Sequence, residues 1–498
     1  MTETTIITRE GATATLAEDA VVAFEQELRG SLLTPDDEGY SEATLIWNGM
    51  VEKTPALVVQ PTGTADVVAA VKFAREHDLL LSVKGGGHNI AGTALADGGL
   101  TIDMSTLRGV VVDTEARTVT AQAGCILGDV DRETQLHGLA LPLGFVSETG
   151  IAGLTLGGGF GYLTRRFGWA VDNLQSVEIV TADGAVRQAS SDSEPDLFWG
   201  VRGAGANLGV VTSFTYRLHD VGPTVYGGLI AWPFDRVDDV AATYQELTAT
   251  APRELTVFMM FRRAPAAPFV PPEWHGKHIC AMAVCYSGDL DETDEVLAPI
   301  RALGDPIVDL LQAQPYTQLQ SYLDATQPKG NHYYWKTEFA ADLSDELVDT
   351  MGKLALESPI PGAQMVMAHI GGALNDHDAD DGVVGNRDAH FAYGAAGMWE
   401  PNDPKEEAYK QWVRDAWAEF QPFSTGGNYI NFQTMDEDDE RIRATYGGNF
   451  DRLLEIKARY DPDNVFRTNR NVRAIAAPED LTGGTDHTAG TGGRPEHA

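Results

Sequence analysis

Three consecutive glycines that end in a histidine, Val83-Lys84-Gly85-Gly86-Gly87-His88-Asn89, constrain this chain more than any other stretch. Residues without a Cβ let several backbone N–H groups converge on one anion, and an imidazole beside such a nest can act as a nucleophile. The flanks give the run its context. Ala56 to Gln60 is a short apolar, β-branched segment, and Pro61-Thr62-Gly63-Thr64 breaks it. Val67, Val68, Val71, Phe73 and Ala74 then fall on one helical face between Asp66 and His77, with Thr64 as the cap. Leu79 to Val83 reads as a buried strand, so the pattern predicts strand, helix, strand and glycine loop.

Two further glycine-rich stretches follow. Gly150-Ile151-Ala152-Gly153-Leu154-Thr155-Leu156-Gly157-Gly158-Gly159-Phe160-Gly161 precedes Trp169-Ala170-Val171-Asp172-Asn173-Leu174, and Arg202-Gly203-Ala204-Gly205-Ala206-Asn207-Leu208-Gly209 comes close to a dinucleotide fingerprint. Such a fingerprint must open a helix whose N-terminus meets the pyrophosphate. Here Val210 to Leu218 reads as a β-branched strand, which disfavours a nicotinamide site. The first loop is read instead as a flavin-binding loop with His88 as covalent anchor.

The segments VKGGGHNIAG, GLTLGGGFGYLTRRFGWAVDNL, DLFWGVRGAGANLGVVTSF and the closing NYINF with RLLEIKARYDPDNVFRTNRNV resemble, in order, the berberine-bridge-enzyme-like family of FAD-linked oxidoreductases, within the vanillyl-alcohol-oxidase superfamily. Bacterial 6-hydroxynicotine-oxidase-like and oligosaccharide-oxidase-like members are the nearest in pattern. The resemblance implies that His88 carries the flavin C8α methyl. It implies further cofactor contacts from Lys84, Gly85, Gly86, Gly87, Asn89 and Gly92 of the first loop, and from Gly150, Gly153, Leu154, Gly157, Gly158 and Gly161 of the second. Asn173, Gly209, Val210, Val211 and Asn431 complete the expected set. Val146 stands where the family often has a second attachment cysteine, and Cys125 lies elsewhere, so one covalent link is expected.

With 498 residues, the chain exceeds what one core usually serves. The expected fold class is α+β: a two-part FAD-binding domain of the vanillyl-alcohol-oxidase type, with an inserted α+β substrate domain whose antiparallel sheet is covered by helices. The expected boundaries are an N-terminal helical segment (1–34), the FAD-binding domain (35–220), the substrate domain (221–424), a C-terminal return (425–475) and a disordered tail (476–498). The substrate pocket is expected between the two domains.

The net charge of -37, from 73 acidic against 36 basic residues, points to a protein that relies on salt to screen its self-repulsion, and it argues against nucleic acid as a partner. Three scattered cysteines, Cys125, Cys280 and Cys285, suggest a reducing compartment. No apolar run reaches the length of a membrane span and no leader is evident, so a cytoplasmic location without membrane partners is expected. His275, His278, Cys280 and Cys285 look metal-like, but His278 to Tyr286 reads as a strand that sends Cys280 and Cys285 to opposite faces, so no metal is expected.

Candidate chemistry beyond the flavin sits on two segments read as strands. In His332-Tyr333-Tyr334-Trp335-Lys336-Thr337, alternation separates His332, Tyr334 and Lys336 from Tyr333, Trp335 and Thr337. In Asn428-Tyr429-Ile430-Asn431-Phe432, Tyr429 and Asn431 share a face, and the resemblance makes Tyr429 the catalytic base. A phenol titrates near about pH 10, so Lys336 is the candidate for lowering it, with Tyr334 as a further catalytic candidate. No middle-domain glutamate base can be placed, and the Arg387-Asp388-Ala389-His390 segment has no assigned role. The expected reaction oxidises a small-molecule CH–OH or CH–NH substrate by hydride transfer to flavin N5, with oxygen or another acceptor taking the electrons. The alternatives are an oxidative cyclase or amine oxidase of the same family and a non-catalytic flavin-binding protein.

Overall fold

The computed structural model describes residues 3–473. The expected tail at 476–498 lies outside the described residues.

The first glycine loop grows from a four-stranded sheet in the order Ser31–Leu33, Leu57–Gln60, Leu100–Asp103, Leu81–Lys84. Its last three strands run parallel, with Leu57 and Leu81 both opposite Leu100. Parallel strands need a crossover, and the helix Thr64–Glu76 supplies it, burying Val67, Ala70, Val71 and Ala74. Its N-cap is Gly63 rather than Thr64, whose hydroxyl instead donates to Glu178 at 2.6 Å.

A second, antiparallel sheet orders Val186–Ser190, Leu174–Val180, Val210–Arg217, Thr118–Gln122 and Val110–Asp113, and shares one core with the first. The strand at Val210–Arg217 follows the third glycine stretch directly, as the sequence suggested. The C-terminal helix Phe450–Tyr460 returns to this core through Phe450, Leu453 and Ile456.

Of residues 1–34, expected to be helical, the described part, 3–34, holds one helix, Glu18–Glu27, beside a hairpin of Thr4–Ile7 and Thr13–Leu16. Ser31–Leu33 pairs antiparallel with Leu57–Gln60, so this segment is tied to the first sheet by ladder hydrogen bonds rather than packed as a separate helical piece.

Between these parts lies an eight-stranded antiparallel sheet, whose central order is Thr224–Pro233, His278–Tyr286, Leu255–Arg263, Gln364–His369, Phe391–Trp399, His332–Ala340. The helices Val237–Thr250, Asp345–Glu357 and Glu406–Phe420 cover one face. Strand alternation decides what each face receives. Along Leu255–Arg263, Val257, Met259 and Phe261 enter the helix-covered core, while Phe258, Met260 and Arg262 face the glycine loops. Each fully buried apolar side chain contributes about 1.5–3 kcal/mol, which fixes the register firmly. Cys280 and Cys285 fall in different apolar clusters, on opposite faces, and no metal-binding group occurs among the described residues. No helix among the described residues is long and apolar enough to cross a membrane.

Candidate active site

A cavity of about 290 Å³ lies between the glycine loops and the open face of the large sheet. Gly85 to Asn89 form one wall, Gly150, Gly153 and Leu154 a second, and Phe258, Met260, Val366, Trp335 and Phe339 the sheet side. The two loops touch backbone to backbone: a Cβ on Gly86 would stand 2.6 Å from Gly150 Cα, so neither residue tolerates a side chain. Ile151–Leu156 is a short helix after this crossing, and Gly153 has open space where its Cβ would be.

His88 ends the first loop at the cavity. Its ring stacks on Trp47 with centroids 4.4 Å apart and planes 16° from parallel, and Trp47 stacks in turn on Tyr333 at 3.7 Å. The Trp47 N–H donates to the Gly87 carbonyl at 2.8 Å, which locks the stack to the loop backbone. Burial pushes the imidazole pKa down to about 4, against a smaller opposing contribution from its own backbone. The ring is therefore neutral at physiological pH, and its Nε2 is buried with no hydrogen-bond partner.

Tyr429 closes the far end. Its hydroxyl oxygen accepts hydrogen bonds from the Gly159 N–H at 3.0 Å and from Asn431 Nδ2 at 2.9 Å. The ring sits edge-on to Phe160 and Phe432 at 4.8 and 4.9 Å. Burial outweighs these two donors, which oppose it, and leaves the phenol raised to about 12. Asn428 to Phe432 is not the expected strand: Ile430–Phe432 is a 3-10 turn held by Phe432 N–H to Tyr429 O at 2.9 Å. The turn, rather than strand parity, is what brings Asn431 onto the Tyr429 hydroxyl.

Sequence comparison decides the lineage. The family described as "FAD binding domain" matches residues 55–190, and that described as "Berberine and berberine like" matches residues 428–473. An FAD-linked oxidoreductase of Dictyostelium discoideum is 31% identical over 468 residues, covering 92% of this chain and 98% of that one. The chain belongs to the berberine-bridge-enzyme-like family of FAD-linked oxidoreductases. The (R)-6-hydroxynicotine oxidase of Paenarthrobacter nicotinovorans is 28% identical, with coverage of 91% and 98% respectively. The structure of a xylooligosaccharide oxidase from Myceliophthora thermophila, in complex with xylobiose, shares the fold at a TM-score of 0.80 and 22% identity, covering 92% of this chain and all of that one.

For a berberine-bridge-like enzyme the site residues fit a flavin. The cavity is mostly apolar, two glycine loops expose backbone to it, and His88 presents a neutral, unpartnered nitrogen beside it. Asn89, Gly150, Gly153, Leu154 and Asn431 of the expected set line the cavity, and so does Val146. Cys125 does not: it is buried, its thiol is pushed up to about 12 by burial, and its sulfur rests on the Gly109 carbonyl.

Other residues of the expected set do not line the cavity and have partners within the fold. Lys84 turns away to pair with buried Asp103 at 3.0 Å. Gly92 adopts a positive φ of 71° in a turn packed on Val51. Gly157 makes room for the Asn431 side chain, Gly158 for the Trp169 ring, and Gly161 for the Leu143 backbone. Asn173 donates to the carbonyls of Phe167 and Trp169, each at 2.9 Å. Gly209 abuts the Val180 carbonyl, and Val210 and Val211 are sheet core, while Gly205 and Ala206 reach the cavity.

Lys336 and Tyr334 need the clearest correction. Alternation was read rightly, but the cavity receives Trp335 and Thr337, and Lys336 lies on the other face. There Lys336 pairs with Glu437 at 2.7 Å and Asp436 at 3.3 Å, while Tyr334 donates to Asp436 at 2.6 Å. Lys336 has no part in setting the Tyr429 pKa, which is raised, not lowered. Glu338, a middle-domain carboxylate at this wall, accepts from Trp417, Gln421, Ser424 and Arg441, leaving it committed to the fold. Trp47, Phe258 and Arg262 carry no motif, and Thr468 and Asn469 sit inside one whose cavity role was not read.

Proposed function

We propose that this FAD-linked oxidoreductase holds its flavin in this cavity through one covalent bond to His88 and oxidises a small molecule at a CH–OH or CH–NH carbon. The observation that carries the reading is the buried, unpartnered Nε2 of a neutral His88 at the crossing of two glycine loops. A neutral imidazole keeps its nucleophilic lone pair, and the Trp47 stack holds the ring in one orientation. Val146 at the cavity wall offers no sulfur for a second bond.

When bound, the flavin supplies a hydride acceptor whose electrons pass on to oxygen or another acceptor. The chain supplies the rest. Aromatic and aliphatic side chains of the large sheet exclude water from the substrate, and Tyr429 takes the proton from its heteroatom. Asn431 and the Gly159 N–H both aim donors at the phenol oxygen, which favours its ionised form against the cost of burial. The three cysteines are buried and unpaired, which supports a cytoplasmic, reducing setting, and the excess of acid supports a salt-dependent one.

The test is anaerobic mixing of the purified yellow protein with alcohols, sugars and amines in concentrated salt. Rapid bleaching of the flavin band by one class is the expected result. A flavin that no member of the panel reduces, but dithionite does, would leave a flavin-binding protein without this activity.

A further inference from the structure

The cavity wall formed by the large sheet is built in cross-strand rows. Met260, Val366, Gly394 and Thr337 stand opposite one another in a middle row, and the missing side chain at Gly394 leaves room that Thr337 fills. One row further along, Arg262 faces Gln364, Gln364 faces Ala396 and Ala396 faces Trp335. Arg262 thus ends a row that opens on the same cavity as His88 and Tyr429.

Its guanidinium is poorly served by the protein. It donates to the Gln364 side-chain oxygen at 3.3 Å and to the Arg263 carbonyl at 3.3 Å, both long. Among the described residues no carboxylate pairs with it, and burial alone shifts its pKa, downwards. The other charges at the cavity are better served: Glu338 by Arg441 at 2.7 Å, and Arg470 by the Gln433 carbonyl and by the field of Glu437 and Asp436. In a chain of net charge -37, a half-buried cation without a counter-charge is conspicuous, because a charge partly withdrawn from water is costly until a partner arrives.

We propose that Arg262, with Gln364 beside it, is the recognition site for a carboxylate on the substrate. This rests on the reading of the cavity as the substrate site. A planar guanidinium matches a carboxylate through two parallel hydrogen bonds, and the Gln364 amide nitrogen is a further donor on the same row. Met260 and Trp335 flank the approach, so the body next to the carboxylate is apolar or aromatic. The substrate class is an organic acid that carries its oxidisable CH–OH or CH–NH group away from the carboxylate.

Calorimetric titration of the protein as isolated, at one fixed salt concentration, with cinnamate and with its neutral counterpart cinnamamide, tests this. Wild type is expected to bind the acid at least about tenfold more tightly than the amide, the scale of a charge-assisted pair. Arg262→Gln should abolish that preference while binding the amide as wild type does, and Arg262→Lys should keep part of it. Equal binding of acid and amide by wild type, no binding of the acid, or an undiminished preference in Arg262→Gln overturns the assignment. The visible spectrum of the same samples judges the flavin reading separately: yellow protein without acid preference refutes only the carboxylate site, whereas colourless protein refutes flavin retention and leaves the calorimetry to decide this one.

Discussion

Arg387 grips Asp172 with two hydrogen bonds, Nη1 to Oδ2 at 2.9 Å and Nη2 to Oδ1 at 2.7 Å, across 215 residues of chain. The side chains are 4% and 1% exposed, so the pair works in a setting where neither ion is well hydrated. Asp172 also accepts from the Trp169 N–H at 2.8 Å, and Trp169 packs edge-on to Tyr429 at 5.8 Å. This contact therefore holds the segment before the strand Leu174–Val180 against the segment before Phe391–Trp399 of the large sheet, beside the proposed base. Burial pushes the Asp172 carboxyl up, but Arg387, His377 and the Trp169 N–H more than offset it and leave the pKa lowered. Its contribution to stability is present above the usual value of 3.8 and is lost as pH falls through the lower folded value. Arg387→Met, which leaves buried Asp172 only its long contacts to His377 at 3.8 Å and Arg202 at 4.0 Å, should cost about 3–5 kcal/mol in denaturant unfolding at neutral pH. A loss under about 1 kcal/mol would mean that the pair is idle.

Tyr429→Phe keeps the ring packing and removes only the hydroxyl. Flavin content should stay normal while the rate of flavin reduction falls about 10²- to 10⁴-fold, the range for loss of a general base. Because the phenol is raised to about 12, the wild-type rate should climb steadily with pH through the neutral and mildly alkaline range and not level off there. Stopped-flow reduction at a series of pH values reads both, and a flat profile or an unimpaired Tyr429→Phe variant moves the base elsewhere.

Lys336→Met separates fold from chemistry. Lys336 and Glu437 are 5% and 3% exposed, and Arg441 stays on Glu437 at 2.9 Å in the variant, so the loss of one of two cations on a buried carboxylate should cost about 1–3 kcal/mol of stability. Its pH profile for flavin reduction should match wild type, since Lys336 faces away from Tyr429. A shift in that profile without loss of stability would reinstate the lysine as a modulator of the base.

The charge of -37 predicts a rising thermal midpoint as salt goes from about 0.01 to about 1 M, over which the screening length drops from roughly 30 Å to roughly 3 Å. Scanning calorimetry across that series measures it. A midpoint that is flat or falls would refute dependence on salt.

What could be read from residues alone divides along physical lines. The Leu57–Gln60, Thr64–Glu76 and Leu81–Lys84 series was legible because each element writes its own period into a few adjacent residues. The segment at Tyr429 was not, since five residues of alternating character fit a strand as well as the 3-10 turn they form. Parity along His332–Ala340 separated the two faces correctly, but nothing local says which face a distant domain will cover, and so Lys336 was placed on the wrong side. The same limit applies to the glycines: Gly86 and Gly153 serve the cavity while Gly158 and Gly161 serve neighbouring rings and backbone, and the difference lies wholly in long-range packing. Arg262 had no local signature at all, and Asp172 and Arg387 sat in segments that gave no sign of their pairing.

The covalent bond at His88 is the central claim, and intact-mass analysis of the acid-denatured protein tests it most directly. Wild type is predicted to carry the mass of one FAD, localised to the peptide containing His88, while His88→Ala carries none and releases any flavin it holds on denaturation. Wild-type protein of unmodified mass with its flavin fully released, or a flavin mapped to Cys125, would contradict it.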